Sequence, residues 1–515
     1  MNTQYLLGVD IGTSSSKGVI IATDGGIKAV DLIEHGISIP KAGWAEHDAE
    51  EVWWGDFCKL LQRLTAKANI DPQEITGIGV SGLCPDLLLV DKNGNCIRPA
   101  ILYGIDARAN KQIDQINSLF GAKYIYDLIG HALSSQSILP KMLWLKENEG
   151  ENFKKAHKVL TASSYIVYKL TNSFVVDYLT ASTAGLVNIN TSQWVTELFS
   201  EFQLSPELLP RLGYGTEIAG KVTSKTAREM GLKEGIPVII GTGDVGTEAI
   251  SAGVFEPGET ILVYGSTISY LQCLKKPVTH ANLFSGYYAL PNSYFIGGAT
   301  ATAGALTKWF RDNFSPLEKA IEKELGRNAY SLLSEEAGKV QNPTGIIVLP
   351  YLSGARSPVN DENAKGIIAG LTLAHKRIHL YKALLEGVGY EIRHNFEVMA
   401  EAGVEPKKII AVGGGTKSSV WTQIVSDIIG KDQYCIAQDV GAPLGAAYLA
   451  GLGVGIIPNT AYIRDNFVKI GRVVRPSSAT GRIYDQYYRI YRSIYEETKN
   501  SIRQLAQIVK SNSSL

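Results

Sequence analysis

Short apolar runs alternate with turn residues from the start of the chain. "YLLGVDIG", from Tyr5, is apolar and closes on glycine, the pattern of a buried strand. "GVIIATDGGIKAV" places Asp24-Gly25 between two apolar runs and predicts a hairpin. "ITGIGVSG" and "LLLVDKNGNCI" predict further strands, the second turning at Asn93-Gly94. Between them, Trp53, Trp54, Phe57 and Leu61 recur at helical spacing over 48–64, with Asp48 as the cap. A second helix is predicted from Pro140 to Glu147, and a long one over 483–508. Strands that alternate with helices, after early hairpins, indicate α/β architecture.

The second half starts again. "ETILVYGSTISYLQC" is strand, small-residue turn, strand, and echoes "YLLGVDIGTSSSKGVI". This predicts an internal duplication into two lobes, 1–252 and 253–515, parted in the turn-rich "GVFEPG" from Gly253 to Gly258. A length of 515 residues allows two large domains or about three of ordinary size. Fifty basic residues balance fifty acidic ones, so neither nucleic acid nor an anionic membrane is expected as a partner. No apolar run is long enough to span a bilayer. Five dispersed cysteines without a CxxC pair suit a reducing, cytoplasmic compartment.

Three loops carry candidate chemistry. "DIGTSSSK" ends a strand with Asp10 and continues through Gly12, Thr13, Ser14 and Ser15 to Lys17. It fails the P-loop pattern, because Lys17 precedes Gly18 and a strand follows. Its amides and hydroxyls suit an anion nest, and equally an ordinary polar hairpin. "GTGDVG" over 241–246 matches the dinucleotide fingerprint, yet Asp244 inside it would repel a pyrophosphate. Asp244 is therefore read as a carboxylate facing a cleft, or as a helix cap, or both. "VGGGTKSS" lets backbone approach a ligand at Gly413, Gly414 and Gly415 before a helix. A bland tight turn fits that stretch equally well. "YGIDARA" sets Asp106 and Arg108 on alternate positions, where an extended chain would point both toward adjacent hydroxyls, or pair them at the surface.

Taken together these motifs resemble the FGGY family of carbohydrate kinases, and its xylulokinase-like branch. The most specific stretch is "GIIAGLTLAHKRIHLYKALLE", Gly366 to Glu386, which meets every defined position of the second family signature. "LPKMLWLKEN" is similar to the first signature around Lys141 and Trp144, with Ile138 where Pro, Ser or Thr is usual. "GWAEHD", "LPYLSGARSP" and "DVGAPLGAAYLAG" are further landmarks, and the resemblance runs from Tyr5 to about Gly455.

The resemblance implies a two-lobed actin/hexokinase-like ATPase fold, built from duplicated ribonuclease H-like domains, with ATP and Mg²⁺ as cofactors. Asp10 would hold the metal, which answers the charge of the phosphates. Gly12, Thr13, Ser14, Ser15 and Lys17 would lie on the phosphate side, joined by Gly265 and Ser266 of "YGSTIS", where Ile268 replaces a small residue. Gly413, Gly414, Gly415 and Ser418 would line the nucleotide. Asp244 matches the catalytic base. Asp106 and Arg108 stand at sugar-contacting positions. The family's Gln-Met-His-Gly is here Leu83-Cys84-Pro85-Asp86, so Cys84, Pro85 and Asp86 would shape a different sugar pocket. The implied activity is phosphorylation of a small sugar, a pentulose such as xylulose first, with gluconate, ribulose or erythritol as alternatives. A homodimer is the expected assembly. Two other classes remain on local evidence: an NAD(P)-dependent oxidoreductase built on "GTGDVG", and a non-catalytic actin-like nucleotide switch.

Overall fold

The computed structural model describes residues 4–341 and 343–512. It divides into two units. The first comprises 1–257, 273–295 and 439–469; the second comprises 258–272, 296–438 and 470–515. The chain therefore leaves the first unit at Pro257 and returns to it twice, where a single boundary at 252/253 was expected. The reason lies in packing. The helix Ala442–Gly453 is buried on every side and carries no charge, so it needs a sheet to cover it, and it lies on the first unit's strands.

In the first unit, strands Tyr5–Ile11 and Ser15–Ala22 form an antiparallel hairpin that extends to Ile27–Glu34. Ile75–Gly82 pairs with Tyr5–Ile11 in parallel, and Pro237–Ile239 continues beyond it. Glycine is required under the covering helix. A Cβ on Gly8 would lie 2.0 Å from the Pro443 carbonyl oxygen, and one on Gly79 would lie 2.1 Å from that of Ala446.

The second unit repeats this ladder. Glu259–Tyr264 and Ile268–Leu274 form the hairpin, and Lys408–Val412 adds in parallel to Glu259–Tyr264. Gln433–Ile436 and Ile470–Val474 complete that edge. The echo between "YLLGVDIGTSSSKGVI" and "ETILVYGSTISYLQC" thus corresponds to the same strand–turn–strand placement. The long helix Ser478–Asn512 packs by tyrosines, with Tyr491 and Tyr351 hydroxyls 2.9 Å apart and Tyr484 donating to Glu386 at 3.1 Å.

Two local expectations change. The helix expected over 48–64 is a π-helical segment, Ala49–Trp54, followed by the α-helix Gly55–Ala68. Asp48 does cap it, accepting from the Glu50 and Glu51 amides. The strand pair expected around Asn93-Gly94 shrinks to a single bridge between Val90 and Cys96. Asp91 takes the Asn93 and Asn95 amides with its own carboxylate, and Leu88–Val90 pairs instead with Lys158–Leu160. The five cysteines are free thiols, and among the described residues no helix is long and apolar enough to cross a membrane.

Candidate active site

The first unit gathers carboxylates around the mouth of its first hairpin. Asp10 ends the opening strand, opposite Lys17 on one neighbour and Ser81 on the other. Its Oδ1 accepts the Ser81 hydroxyl at 2.7 Å. Burial pushes the Asp10 carboxyl up to about 6, against the pull of Ser81 and Lys17. Lys17 Nζ donates to the Val440 carbonyl at 3.3 Å. Between the strands, the Gly12 amide donates to the Ser15 carbonyl at 3.0 Å, closing a tight turn with Ser14 exposed at its tip. Thr13 Oγ1 lies 3.0 Å from the Tyr103 hydroxyl. Ser15 opens the second strand.

Asp244 opens the helix Asp244–Ser251, and the capping position is Gly243. The Asp244 side chain therefore does not cap the helix in the expected way; it accepts only the adjacent Val245 amide, at 2.8 Å. Its carboxyl is held well above the usual carboxylate range, first by burial, then by Asp10, Glu248 and Asp86. Glu248, one turn along the same helix, is raised to about 7 by burial, Asp439 and Asp10. Asp10, Asp244 and Glu248 thus act electrostatically on one another. Asp177 holds the approach to Asp244 in place. Its carboxylate accepts the Leu179 and Thr180 amides and, at 2.5 Å, the Thr242 hydroxyl.

The segment Leu83–Asp86 lies beside this group. A Cβ on Gly243 would meet Cys84 Sγ at 2.8 Å, so Gly243 admits Cys84 against the loop. Burial, Asp244, Asp177 and Asp86 all push the Cys84 thiol up. Pro85 is buried. Asp86 is fully buried, with Oδ1 accepting the Ala162 amide at 3.2 Å and Oδ2 without a partner. Burial raises Asp86 to about 8. Lys141, held by the Leu102 carbonyl at 2.7 Å, is lowered to about 8 by burial, while Asp106 and Asp86 oppose that shift.

Asp106 and Arg108 are not set side by side toward an open surface. Both side chains have zero exposure and grip each other, with Arg108 Nη2 2.7 Å from Asp106 Oδ2 and 2.8 Å from Glu46. The Ala45 amide donates to the same Asp106 oxygen at 2.7 Å. The guanidinium lies over the rings of Trp44, at 4.0 Å, and Trp144. The turning segment folds the pair inward onto itself, where an extended chain would have pointed both side chains outward together. One donor, Arg108 Nη1, is left without a partner.

In the second unit, Gly265 and Ser266 form the turn of the repeated hairpin. Their carbonyls accept amides from the start of the helix Gly304–Phe314, and Ser266 is exposed. Gly413 has φ +90°, and a Cβ there would lie 2.7 Å from the Tyr264 carbonyl oxygen. Gly414 is exposed, and Gly415 packs on Tyr264 and Trp421. Ser418 caps the helix Ser419–Ile429 by accepting the Trp421 amide at 3.1 Å, and its hydroxyl lies 2.7 Å from that of Ser334.

Sequence reasoning passed over Glu248 and Asp177. Glu248 carries a legible signal, since it stands four residues from Asp244 on one helix face. Asp177 carries none: it reaches Thr242 from 65 residues away.

A buried acid pair at the mouth of a strand–turn–strand, in a unit whose ladder recurs in a second unit, defines an actin-like ATPase fold. The comparisons give the family. The N-terminal domain of the FGGY family of carbohydrate kinases matches residues 5–251, and its C-terminal domain matches residues 261–454. The chain belongs to the FGGY family, and is a phosphotransferase acting on a sugar hydroxyl. It is 29% identical over 512 residues to a xylulose kinase of Staphylococcus epidermidis, covering 99% of this chain and 100% of that protein. A gluconokinase of Bacillus subtilis is 27% identical over 510 residues, covering 98% of each. The crystal structure of xylulose kinase from Rhodospirillum rubrum superposes with a TM-score of 0.89 at 27% identity, covering 97% of this chain and all of the other.

Proposed function

We propose that this chain transfers the γ-phosphate of ATP to a hydroxyl of a small sugar, with a pentulose such as xylulose as the leading substrate. The observation that carries this is the raised carboxyl of Asp244, pushed up by burial and by Asp10. A carboxylate with a raised pKa is a stronger base, suited to take the proton of a sugar hydroxyl as its oxygen attacks phosphorus. That proton goes to Asp244, the new bond joins the sugar oxygen to the γ-phosphorus, and ADP leaves. The turn Gly12–Ser15 supplies amides and hydroxyls for the transferred group, and Lys17 a positive charge. Gly265 and Ser266 are the second unit's phosphate contacts. Gly413, Gly414 and Gly415 bring backbone close to the nucleotide, with Ser418 beside them.

Mg²⁺ suits the Asp10 carboxylate, while among the described residues no group of three His, Cys, Asp or Glu is gathered to hold an ion without waters or phosphate. Asp10 raises the Asp244 and Glu248 carboxyls and Glu248 raises that of Asp244, the mark of negative charge with too little to answer it. Asp10 would hold the ion largely through water, and the ion would offset the phosphate charge.

The pentulose assignment is supported by the full-length relatives that are xylulose kinases. Cys84, Pro85 and Asp86 give the pocket its own chemistry, and the buried Asp86 Oδ2, which has no partner, is the atom left to meet a sugar hydroxyl. A sugar acid such as gluconate is the second reading. It is supported by the gluconokinase relative and by the open Nη1 donor of Arg108, which suits an anionic oxygen. Asp106 and Arg108 then act on the sugar through that donor and through the pocket wall they brace.

The test is ADP release from MgATP across xylulose, ribulose, erythritol and gluconate. Strong stimulation by xylulose is expected. Stimulation by gluconate alone moves the assignment to the second reading, and release indifferent to every sugar overturns both.

A further inference from the structure

The glycine turn of the second unit is held by a residue that lies beyond the stretch matching the family, which ends at 454. Three consecutive glycines, Gly413 to Gly415, have more backbone freedom than any other residues, so fixing them in one shape is entropically costly. The turn closes on Thr416. The Gly413 carbonyl accepts the Thr416 amide at 3.1 Å and the Thr416 hydroxyl at 2.7 Å. Thr416 is anchored in its turn by Arg472, from the edge strand Ile470–Val474. Arg472 Nη2 donates to the Thr416 carbonyl at 2.8 Å and to the Thr422 hydroxyl at 3.0 Å, with Cys435 Sγ at 3.7 Å. One nitrogen thus ties together the turn, the start of the helix Ser419–Ile429 and the sheet.

The register explains why this residue is arginine. Cys435 stands opposite Ala411 on one side and Arg472 on the other. The turn continues the strand Lys408–Val412, so Arg472 has to reach across a whole strand to touch it. Neighbouring strands lie about 4.8 Å apart, which calls for the longest side chain available. A lysine nitrogen would end one bond short of Nη2. The planar guanidinium also serves two acceptors with little further loss of freedom. Arg472 is half-buried and makes no ion pair among the described residues, so its bonds go to the turn and helix and not to an acid.

We infer that Arg472 is a positioning residue for nucleotide binding: by holding the Thr416 carbonyl it fixes the 413–418 turn in the shape that meets the nucleotide. This rests on the reading above that Gly413, Gly414, Gly415 and Ser418 line the nucleotide. A peptide unit is planar, so a held Thr416 carbonyl also fixes the Lys417 N–H. Ordering the turn before the ligand arrives removes the cost of ordering from the binding step.

Calorimetric titration with MgADP tests this without a sugar. Arg472→Met keeps most of the stem and loses both bonds. It is expected to weaken MgADP roughly 5- to 20-fold, the scale of a lost hydrogen bond to a charged group. Arg472→Lys keeps the charge without the reach and is expected to weaken MgADP nearly as much. Wild-type affinity in Arg472→Lys would assign the effect to charge and overturn positioning. With the sugar that stimulates ADP release, the ATP KM should rise by the same factor, while kcat and the sugar KM stay within about twofold. Joint losses in kcat and both KM values that follow Tm would mark a merely structural role and overturn the inference. Amide hydrogen exchange over residues 413–418 of the unliganded protein should be faster in both variants, and unchanged exchange overturns the anchor. Faster exchange with unchanged MgADP affinity shows that the anchor holds but the turn does not meet the nucleotide, which overturns the inference through the reading it rests on. If the wild-type chain binds no MgADP, the nucleotide reading itself falls, and exchange still decides whether Arg472 holds the turn.

Discussion

Ser81 donates its hydroxyl to Asp10 across a parallel ladder, at 2.7 Å. The register places the two residues directly opposite each other at the ends of their strands. The bond favours the ionised form of a carboxyl that burial would otherwise keep protonated. Ser81→Ala removes that support. Asp10 should then protonate at higher pH, and turnover should need more Mg²⁺ at pH 7. Half-saturating Mg²⁺ measured in both proteins checks this, and an unchanged requirement would separate Ser81 from the metal side of the site.

Asp244 is proposed as the base because it opens a helix beside other acids. Asp244→Asn should reduce turnover roughly 10²–10⁴-fold, the usual contribution of such a group. The fold should survive, because the change relieves a crowded set of buried carboxyls. Steady-state kinetics beside a thermal melt tests both halves. Near-normal turnover in pure protein would remove Asp244 from the role.

Asp86 makes stability depend on pH. Burial raises its folded pKa to about 8, while the unfolded carboxyl titrates near 3.8, the ordinary aspartate value. Between those values the folded state binds more protons than the unfolded state, so stability falls as pH rises. Asp10, at about 6, and Glu248, at about 7, act in the same direction over narrower ranges. Lys141, lowered to about 8, works the opposite way only above that pH. Asp86→Asn should therefore flatten the decline between pH 4 and 8. Denaturant midpoints of both proteins at pH 5, 6.5 and 8 measure it, and parallel curves would contradict the assignment.

Arg108 neutralises Asp106 and Glu46 in a site closed to water. Glu46 also pairs with Arg98, so Arg108→Ala chiefly strands the buried Asp106 carboxylate and should cost about 3–5 kcal/mol, the range for breaking a buried pair from one side. Urea unfolding checks the magnitude. Loss of sugar affinity without loss of stability would show instead that Arg108 acts mainly on the ligand.

Gly79 has a purely steric role. Gly79→Ala would press a methyl carbon against the Ala446 carbonyl oxygen, 2.1 Å away, and push the covering helix off the sheet. A loss of about 1–3 kcal/mol is expected, as for overpacked cores. Unfolding midpoints read it directly, and an unchanged midpoint would mean that the helix can slide.

Much of this protein was legible along the chain. The strand "ITGIGVSG" occupies 75–82 as its apolar pattern implies, because a central strand buried on both faces needs an unbroken apolar run. The repeated hairpin was visible as a repeated strand–turn–strand, since each copy solves the same local problem. Asp10 and Asp244 stood out because each ends or follows an apolar strand at a glycine turn, where a side chain must leave the sheet. Glu248 was readable from helical spacing, although it was passed over.

What periodicity could not give is the distance between parts remote in sequence. The pairing of Asp106 with Arg108 depended on whether the segment extends or turns, and packing on Trp44 and Trp144 decided that. The tautomer of His47 depended on Trp53 turning inward from a π-helical segment that helical spacing alone does not distinguish. The return of 439–469 to the first unit depended on one helix that is apolar on every face. Sequence by itself determined the elements, their repeat and the residue types at the turns, because those follow from local patterning and backbone sterics. Tertiary structure alone decided which acids raise one another, which charges close on themselves and which backbone carbonyls are held, because Coulomb and hydrogen-bond energies depend on distances that only packing sets.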